Sequence, residues 1–286
     1  MELYFAGGSS KKVEDFMWNK QCNRLFSQFR EKSSIKKYIE RGGQNIFLDS
    51  GAFSAYNSGS IIDIDSLCDY ANSITQHCKF IACLDVIGDA EKSFENFVYM
   101  RHKLIEPNKL IPAFHINEPI EYLYKYLEYE DEFGKLDKLA LGGIAKQSQT
   151  NRKRFLDMCE PICEKYPDVW IHLFGVTNLS LINNYNFIDS VDSTKYIMDS
   201  VYGGITIPPK FIQIYIGNRH PLNNSIIRKE HSCVIQEICE KSGIEQGELA
   251  ENGDARSIFD IQSMLEWLKL YNKKDEYKKI RKRRLF

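Results

Sequence analysis

IFLDSGAFS, residues 46–54, is the stretch of this 286-residue chain that decides the fold. A short apolar run stops at Asp49, and small residues follow it. A second stretch of the same form, FIDSVDSTKY at residues 187–196, passes through Asp192. Side chains at the carboxyl ends of parallel strands meet at one edge of a sheet, so the two aspartates are expected to share a pocket. Paired carboxylates there suggest covalent chemistry on a sugar.

Further segments between these two stop in the same way, on polar residues or on glycine. They are FIACLDVIGD at Asp85, LIPAFHINEP at His115, LALGGIA at Gly142 and Gly143, and WIHLFGVTN at Gly175. The strand interiors are almost continuously hydrophobic, which favours a parallel sheet covered on both faces. The sequence therefore places functional residue types where several strands end.

Strand and helix patterns alternate along the chain. The predicted strands cover residues 3–6, 46–48, 80–84, 110–114, 139–141, 170–174, 187–191 and 211–216. The predicted helices between them cover 14–40, 65–78, 90–105, 119–130 and 147–166. This alternation predicts an α/β fold of the (β/α)8 TIM-barrel type, irregular near its end because the helices at 178–185 and 195–202 are short. An open doubly wound sheet is the structural alternative.

The character of the sequence changes after Gly217. A polar loop leads to predicted helices at 225–241 and 255–274, with no close-set cysteines that would make a zinc subdomain. We therefore predict a catalytic barrel domain at 1–216 and a C-terminal helical extension at 217–286.

The net charge of −1 excludes a globally basic nucleic-acid binder. Residues 273–286, however, carry eight basic and two acidic side chains. Such a run can neutralise phosphates, and a solvated tail is the alternative interpretation. The candidate phosphate contacts are Lys278, Lys279, Arg281, Lys282, Arg283 and Arg284.

Eight cysteines are scattered along the chain without zinc-finger spacing, and no signal peptide precedes them. No apolar run approaches the roughly 20 residues that a bilayer span needs. These features predict a cytoplasmic protein, in the host cytoplasm if a phage encodes it, with no metal and no membrane partner. The oligomeric state, a homodimer included, is left open.

Each strand-end residue also has a structural interpretation. An aspartate after a strand is most often a helix N-cap, which we expect of Asp63 and Asp89. Asp49 fits that role poorly, because the next helix is predicted more than a dozen residues later. Asp192 could instead form a turn with the serine and threonine after it. Gly142 and its neighbour could simply relax a tight turn.

The order DSGAFS, LDV, PAFH, GG, FGV and VDST resembles the queuine/archaeosine tRNA-guanine transglycosylase superfamily. It is more similar to the short phage and bacterial relatives that insert 7-deazaguanines into DNA. The resemblance covers about residues 1–205, and its most specific parts are residues 49–53 and 190–194.

The resemblance implies roles for the individual residues. Asp192 would be the nucleophile at C1′ of the nucleotide, and Asp49 the general acid/base. The substrate site would comprise Ser50, Gly51, Phe53 stacked on the base, Asp85 on its guanine-like edge, His115 as a polar base contact, Gly142 and Gly143 as backbone donors or acceptors, and Gly175. No cofactor is implied; the partners would be a polynucleotide and a 7-deazaguanine base such as preQ0.

The chain also departs from the pattern of the larger tRNA enzymes. Their Gly-Gly pair after the first aspartate is Gly51-Ala52 here, and His115 stands where they commonly use an amide. In the short relatives a tyrosine or tryptophan often follows a serine after the DST motif, where this chain has Lys195-Tyr196. The missing zinc motif favours DNA over tRNA as the polymer. Exchange on tRNA, a binding protein without turnover, and a nucleoside or sugar hydrolase are the alternatives.

Overall fold

Nine parallel strands form a nearly closed, barrel-like sheet in the computed structural model. The structure describes residues 1–176, 178–217 and 229–283, the last ten of these by their backbone alone. The strands of the sheet are β1 (Glu2–Ala6), β2 (Asn23–Ser27), β3 (Ile46–Asp49), β4 (Cys78–Ala82), β5 (Leu110–Ile111), β6 (Ala113–His115), β9 (Lys138–Gly142), β10 (Trp170–Leu173) and β11 (Ser190–Ser193). Their order is β5-β4-β3-β2-β1-β11-β10-β9-β6.

The two end strands of this sheet, β5 and β6, follow one another in the chain and are separated only by Pro112. Proline has no N–H to donate, which explains why the ladder is interrupted there. On one side the Cys83 amide donates to the Ile111 carbonyl at 2.9 Å, and on the other the Ala140 amide donates to the Pro112 carbonyl at 2.9 Å. The expected α/β class is confirmed, and the curled sheet is consistent with a TIM-type barrel.

Helices follow most strands of the sheet. They are α1 (Lys11–Asn19), α2 (Gln28–Glu40), α3 (Ala52–Ser58), α4 (Ile64–Ser73), α5 (Ala90–Lys103), α6 (Ile120–Leu127), α7 (Gln149–Cys163) and α8 (Lys195–Val201), with a 3-10 helix at Leu179–Asn184. Two small antiparallel hairpins, β7 (Glu130–Asp131) with β8 (Gly134–Lys135) and β12 (Gly204–Ile207) with β13 (Ile212–Tyr215), lie outside the sheet. The chain continues with α9 (Ser232–Ser242), α10 (Glu248–Glu251) and α11 (Gly253–Arg283). No helix in these ranges is long and apolar enough to cross a membrane.

The single helix expected at 14–40 is wrong, because β2 lies in its middle. Gln21 has φ +54°, which ends α1 and turns the chain into the strand. The hydrophobic pattern did not predict this strand, because it contains Arg24, a charged residue that is nevertheless buried. Its guanidinium donates to Glu14 and to the backbone carbonyls of Phe5 and Gly7, which makes its burial tolerable.

Two other expectations are also corrected. The run at 211–216 does form a strand, β13, but it pairs antiparallel with β12 and does not belong to the barrel-like sheet. Helix α3 begins at Ala52, three residues after Asp49, and not more than a dozen residues later. Gly51 allows this early start because its φ of +84° reverses the chain immediately after β3.

The apolar side chains form two layers on either side of the sheet. Inside it, large aromatic residues alternate with small residues, so the interior is filled. The interior set is Tyr4, Ala6, Leu25, Phe47, Phe80, Ala82, Ile111, Ala113 and Ala140, with Trp170 and Phe174 packed against it. The larger layer lies between the sheet and the helices and continues into α9 and α11. Because the interior is occupied, a ligand site on this sheet has to lie at its rim.

The C-terminal helix α11 packs on the same core as the sheet. Its Arg256 donates to the Ser200 carbonyl at 3.0 Å, and its Asp260 accepts the Thr206 amide at 2.6 Å. The amino terminus at Met1 donates to Asn272 at 3.2 Å. The domain boundary at 216/217 stays a prediction, and so do the six basic phosphate contacts, whose side chains lie outside the described residues.

Trp267 should contribute strongly to the stability of the whole chain. It is 2% exposed and packs against Phe211 and Tyr271. We expect Trp267→Ala to lower the free energy of unfolding by about 3–5 kcal/mol, whereas Leu270→Ala, at a 48% exposed position of the same helix, should change it little. Thermal unfolding measured by circular dichroism tests this. An unchanged main transition in Trp267→Ala would show that α11 unfolds independently of the sheet.

Candidate active site

Asp192 lies at the carboxyl end of β11 and is almost fully buried. Its Oδ1 accepts the Gly175 amide at 2.8 Å and lies 3.2 Å from Nε2 of His172. The Val176 amide donates to its backbone carbonyl at 2.9 Å. Among the described residues, both hydrogen-bond contacts of the Asp192 side chain use Oδ1, so Oδ2 is the oxygen left to act on a ligand.

His172 links Asp192 to the interior of the sheet. Its other ring nitrogen, Nδ1, lies 2.6 Å from Oγ of Ser190, and the ring is completely buried. Phe174 packs edge-on against it with ring centroids 4.5 Å apart, and Phe47 lies at 4.8 Å. The imidazole therefore has one orientation, which fixes the orientation of the Asp192 carboxylate.

Asp49 lies at the carboxyl end of β3, and its charge interacts with that of Asp192. Its Oδ2 accepts the Gly51 amide at 3.1 Å. Burial, and then the neighbouring carboxylates of Asp192 and Asp85, raise the pKa of Asp49 to about 7. The Gly51 hydrogen bond opposes the shift without cancelling it. Asp49 is thus an acid that exchanges its proton near neutral pH, as general acid/base catalysis requires.

Asp85, after β4, forms a second polar group with His115 at the end of β6. Oδ2 of Asp85 lies 3.4 Å from Nε2 of His115. Glu118 contacts the same imidazole from the other side, with Oε1 3.3 Å from Nδ1, and its Oε2 accepts the His115 amide at 2.8 Å. Burial acts to lower the pKa of His115, but the two carboxylates outweigh it and raise that pKa to about 10.

The glycines provide close approaches in this region. Gly175 has φ +69° and donates its amide to Asp192. Gly142 leaves room for His115, because a Cβ atom on it would lie 2.7 Å from Cδ2 of that ring. Gly143 has φ +78°, and the Gly142 carbonyl accepts the Ile116 amide at 3.1 Å.

Ser50, Gly51 and Phe53 follow β3 and differ in how much of each is exposed to solvent. Ser50 is buried, and its Oγ accepts the Ala52 amide at 3.4 Å. A Cβ atom on Gly51 would lie 2.4 Å from Cβ of Phe29, so this turn depends on glycine. Phe53 is 50% exposed on α3, with Nζ of Lys146 4.7 Å from its ring centroid. Phe53 is therefore available at the surface to a planar ligand.

The capping expectations can be checked directly. Asp63 accepts the Ser66 amide at 2.8 Å and Asp89 the Lys92 amide at 3.0 Å, so both are N-caps as predicted. Asp192 caps none of the helices in the described part of the chain; Oγ of Ser193 accepts the Lys195 amide at 3.1 Å in the turn into α8. The carboxylate of Asp192 is thus not used by the local backbone turn.

Sequence reasoning missed Glu118 and Ser190 as members of this region. Glu118 lies three residues after His115 in HINEP, a short-range spacing that could have identified it. Ser190 lies two residues before Asp192, so both side chains face the same side of β11. The contact of Ser190 with His172 could not be read from the sequence, because β10 and β11 are brought together only by the sheet.

A separate crevice of about 490 Å³ lies between α1 and α2, away from these strand ends. Its lining includes Trp18, Tyr38 and Arg41, and the Arg41 guanidinium lies 4.6 Å from the Trp18 ring centroid. Arg41 is paired with Asp15 at 2.7 Å. The crevice is also lined by Glu14 and Asp15, but these are paired with Arg24 and Arg41. The interacting carboxyl groups of Asp49 and Asp192 lie at the rim of the sheet, so we place the candidate active site there.

Within the described ranges, no three His, Cys, Asp or Glu side chains are grouped as metal ligands would be. No protein-family model and no curated protein matches the chain. The candidate site therefore rests on its own geometry and on the sequence motifs that supply it.

Proposed function

We propose that this chain is a (β/α)8-barrel base-exchange glycosyltransferase that replaces guanine in a polynucleotide with a 7-deazaguanine base. DNA is the proposed polymer. Asp192 is the proposed nucleophile and Asp49 the proposed general acid/base, with the base bound between Phe53 and Asp85.

One observation carries the proposal: two carboxyl groups from different strands lie at the same rim of the sheet but have different surroundings. Asp192 is oriented by the Gly175 amide and His172, and presents Oδ2. Asp49 has a pKa raised to about 7 by burial and by its acidic neighbours. Pairs of acidic groups in unlike environments are how enzymes divide nucleophilic and proton-transfer roles.

The chemistry divides into two balanced half-reactions. In the first, Oδ2 of Asp192 forms a bond to C1′ while the C1′–N bond to guanine breaks. The leaving base takes the electron pair of that bond and the proton of Asp49. In the second, Asp49 removes a proton from the incoming base, whose nitrogen attacks C1′ and releases the Asp192 carboxylate. The burial of Asp192 favours this route, because early entry of water would leave an abasic site.

DNA is proposed over tRNA because residues 205–286 lack the zinc motif with close-set cysteines and a histidine that the larger tRNA enzymes carry. In a duplex the target guanine would have to be flipped out, since C1′ is otherwise inaccessible to a site at the rim of a barrel. The half-exposed Phe53 supports this, because it offers a ring on which an extruded base can stack.

Incorporation of radiolabelled guanine tests the proposal. The purified protein is incubated with labelled guanine and, separately, double-stranded DNA, single-stranded DNA or tRNA, and the label retained in polymer is counted. We expect label in DNA. Label in tRNA alone would make tRNA the substrate. Free guanine released from the polymer without incorporation would indicate a hydrolase, and no reaction in any tube would favour a binding protein.

A further inference from the structure

The contacts of Asp85 and His115 differ from those expected if His115 were the base contact that the family resemblance implies. Oδ1 of Asp85 is buried and accepts no hydrogen bond within the described part of the chain, while Oδ2 faces Nε2 of His115 at 3.4 Å. A buried carboxylate oxygen without a donor is unfavourable unless a ligand supplies one. Oδ1 is therefore the oxygen of Asp85 that a base can use.

Glu118 fixes His115 through two different atoms. Its Oε2 accepts the backbone amide of His115 at 2.8 Å, and its Oε1 lies 3.3 Å from Nδ1 of the ring. The side chain of Glu118 is 7% exposed, so little solvent competes with these contacts. The His115 ring consequently has a fixed position relative to β6.

His115 has little capacity left for a base. Nδ1 faces Glu118 and Nε2 faces Asp85, and an imidazolium ring has only these two N–H donors. Gly142 allows the ring to lie there, because a Cβ atom on it would approach Nε2 to 2.9 Å. The row Asp85–His115–Glu118 is thus a connected set of charges at the wall of the site.

We infer that Glu118 and His115 are positioning residues for Asp85: Glu118 holds His115, His115 holds Oδ2 of Asp85, and Oδ1 is thereby aimed at the donor edge of the bound base. This inference rests on the proposed function and changes the role of His115 from a base contact to a support for Asp85. The raised pKa of His115 agrees with an imidazolium between two carboxylates.

Glu118→Gln tests the inference, with Glu121→Gln as the matched control at an exposed position on α6. The ring nitrogens of His115 are followed by ¹⁵N NMR against pH, and their signals are assigned by their loss in His115→Gln. In the wild type and in Glu121→Gln, His115 should stay an imidazolium up to at least about pH 9. In Glu118→Gln, His115 should lose its proton about one pH unit or more lower, because one of the two facing carboxylates is gone. Glu118→Asp should keep His115 charged.

Equilibrium binding of guanine and hypoxanthine gives the second readout. Hypoxanthine lacks the exocyclic amine of guanine, from which Oδ1 of Asp85 would accept a hydrogen bond. The wild type should prefer guanine, and Glu118→Gln should reduce that preference about tenfold. A wild-type preference that Glu118→Gln leaves intact, or an unchanged His115 titration, would overturn the inference. A wild type that binds neither base would instead overturn the proposed function, so the two failures are distinguishable. Thermal unfolding of each variant identifies a folding defect. If Glu118→Gln does not fold, the same titration and binding measurements are made on Glu118→Asp, which should keep the wild-type charge on His115 and the wild-type preference for guanine.

Discussion

Asp192→Ala is expected to abolish the denaturation-resistant adduct between the protein and its polynucleotide, and to reduce base exchange by at least about 10⁴-fold. The substitution removes Oδ2, the only atom for which we propose a covalent bond to C1′. It leaves His172 and the Gly175 amide without their shared acceptor at Oδ1. The adduct is measured on a denaturing gel with labelled DNA.

Asp168→Ala is the matched control for this result. Asp168 is an exposed aspartate just before β10, at the opposite end of the strands from the candidate site. Its replacement should leave both adduct and exchange at the wild-type level. An adduct of undiminished yield in Asp192→Ala would remove Asp192 from the role of nucleophile, and exchange would then have to proceed by another route.

Asp49→Asn is expected to reduce exchange by about 10²–10⁴-fold while binding of the polynucleotide survives, because an amide cannot transfer the proton. The rate of adduct formation in the wild type should fall as the pH rises through about 7, where Asp49 loses its proton. The variant should show no such step. A variant with near-normal exchange would refute the assignment of Asp49 as the acid/base.

The same substitution has an expected effect on stability with a defined sign. The pKa of Asp49 is about 7 in the folded chain and 3.8 as its ordinary value, so ionisation is unfavourable in the folded state. The contribution of Asp49 protonation to the free energy of unfolding is fully present below about pH 4 and is lost as the pH rises through about 7. Asp49→Asn should therefore be more stable than the wild type at pH 8, by about 4 kcal/mol.

Thermal unfolding of the wild type and Asp49→Asn at pH 5 and pH 8 checks this dependence. Asp69→Asn is the control, since Asp69 is an exposed aspartate on α4 and should show no pH-dependent difference from the wild type. A stability difference between wild type and Asp49→Asn that is the same at both pH values would mean that Asp49 is already ionised at pH 5.

Strand ends were the part of the site most accessible to sequence reasoning. The run before Asp49 is short and apolar, and the observed strand Ile46–Asp49 includes its aspartate. The strand predicted at 187–191 is observed three residues later, at Ser190–Ser193, and includes Asp192. Sequence reasoning could not find elements in which a charged residue is buried. Strand β2 carries the buried Arg24, whose charge is compensated by Glu14 on α1, ten residues earlier in the chain. Early entry into α3 likewise depended on the backbone of Gly51.

The sequence by itself determined that strands alternate with helices and which polar residues end those strands, because both are local properties of hydrophobic periodicity and turn residues. Only the tertiary structure decided how these residues act on one another. Burial beside Asp192 and Asp85 sets the pKa of Asp49, His172 reaches Asp192 from the neighbouring strand, and Glu118 with Asp85 holds His115 as a cation. These are consequences of desolvation and of charges brought together by the sheet, and no single segment of the chain contains them.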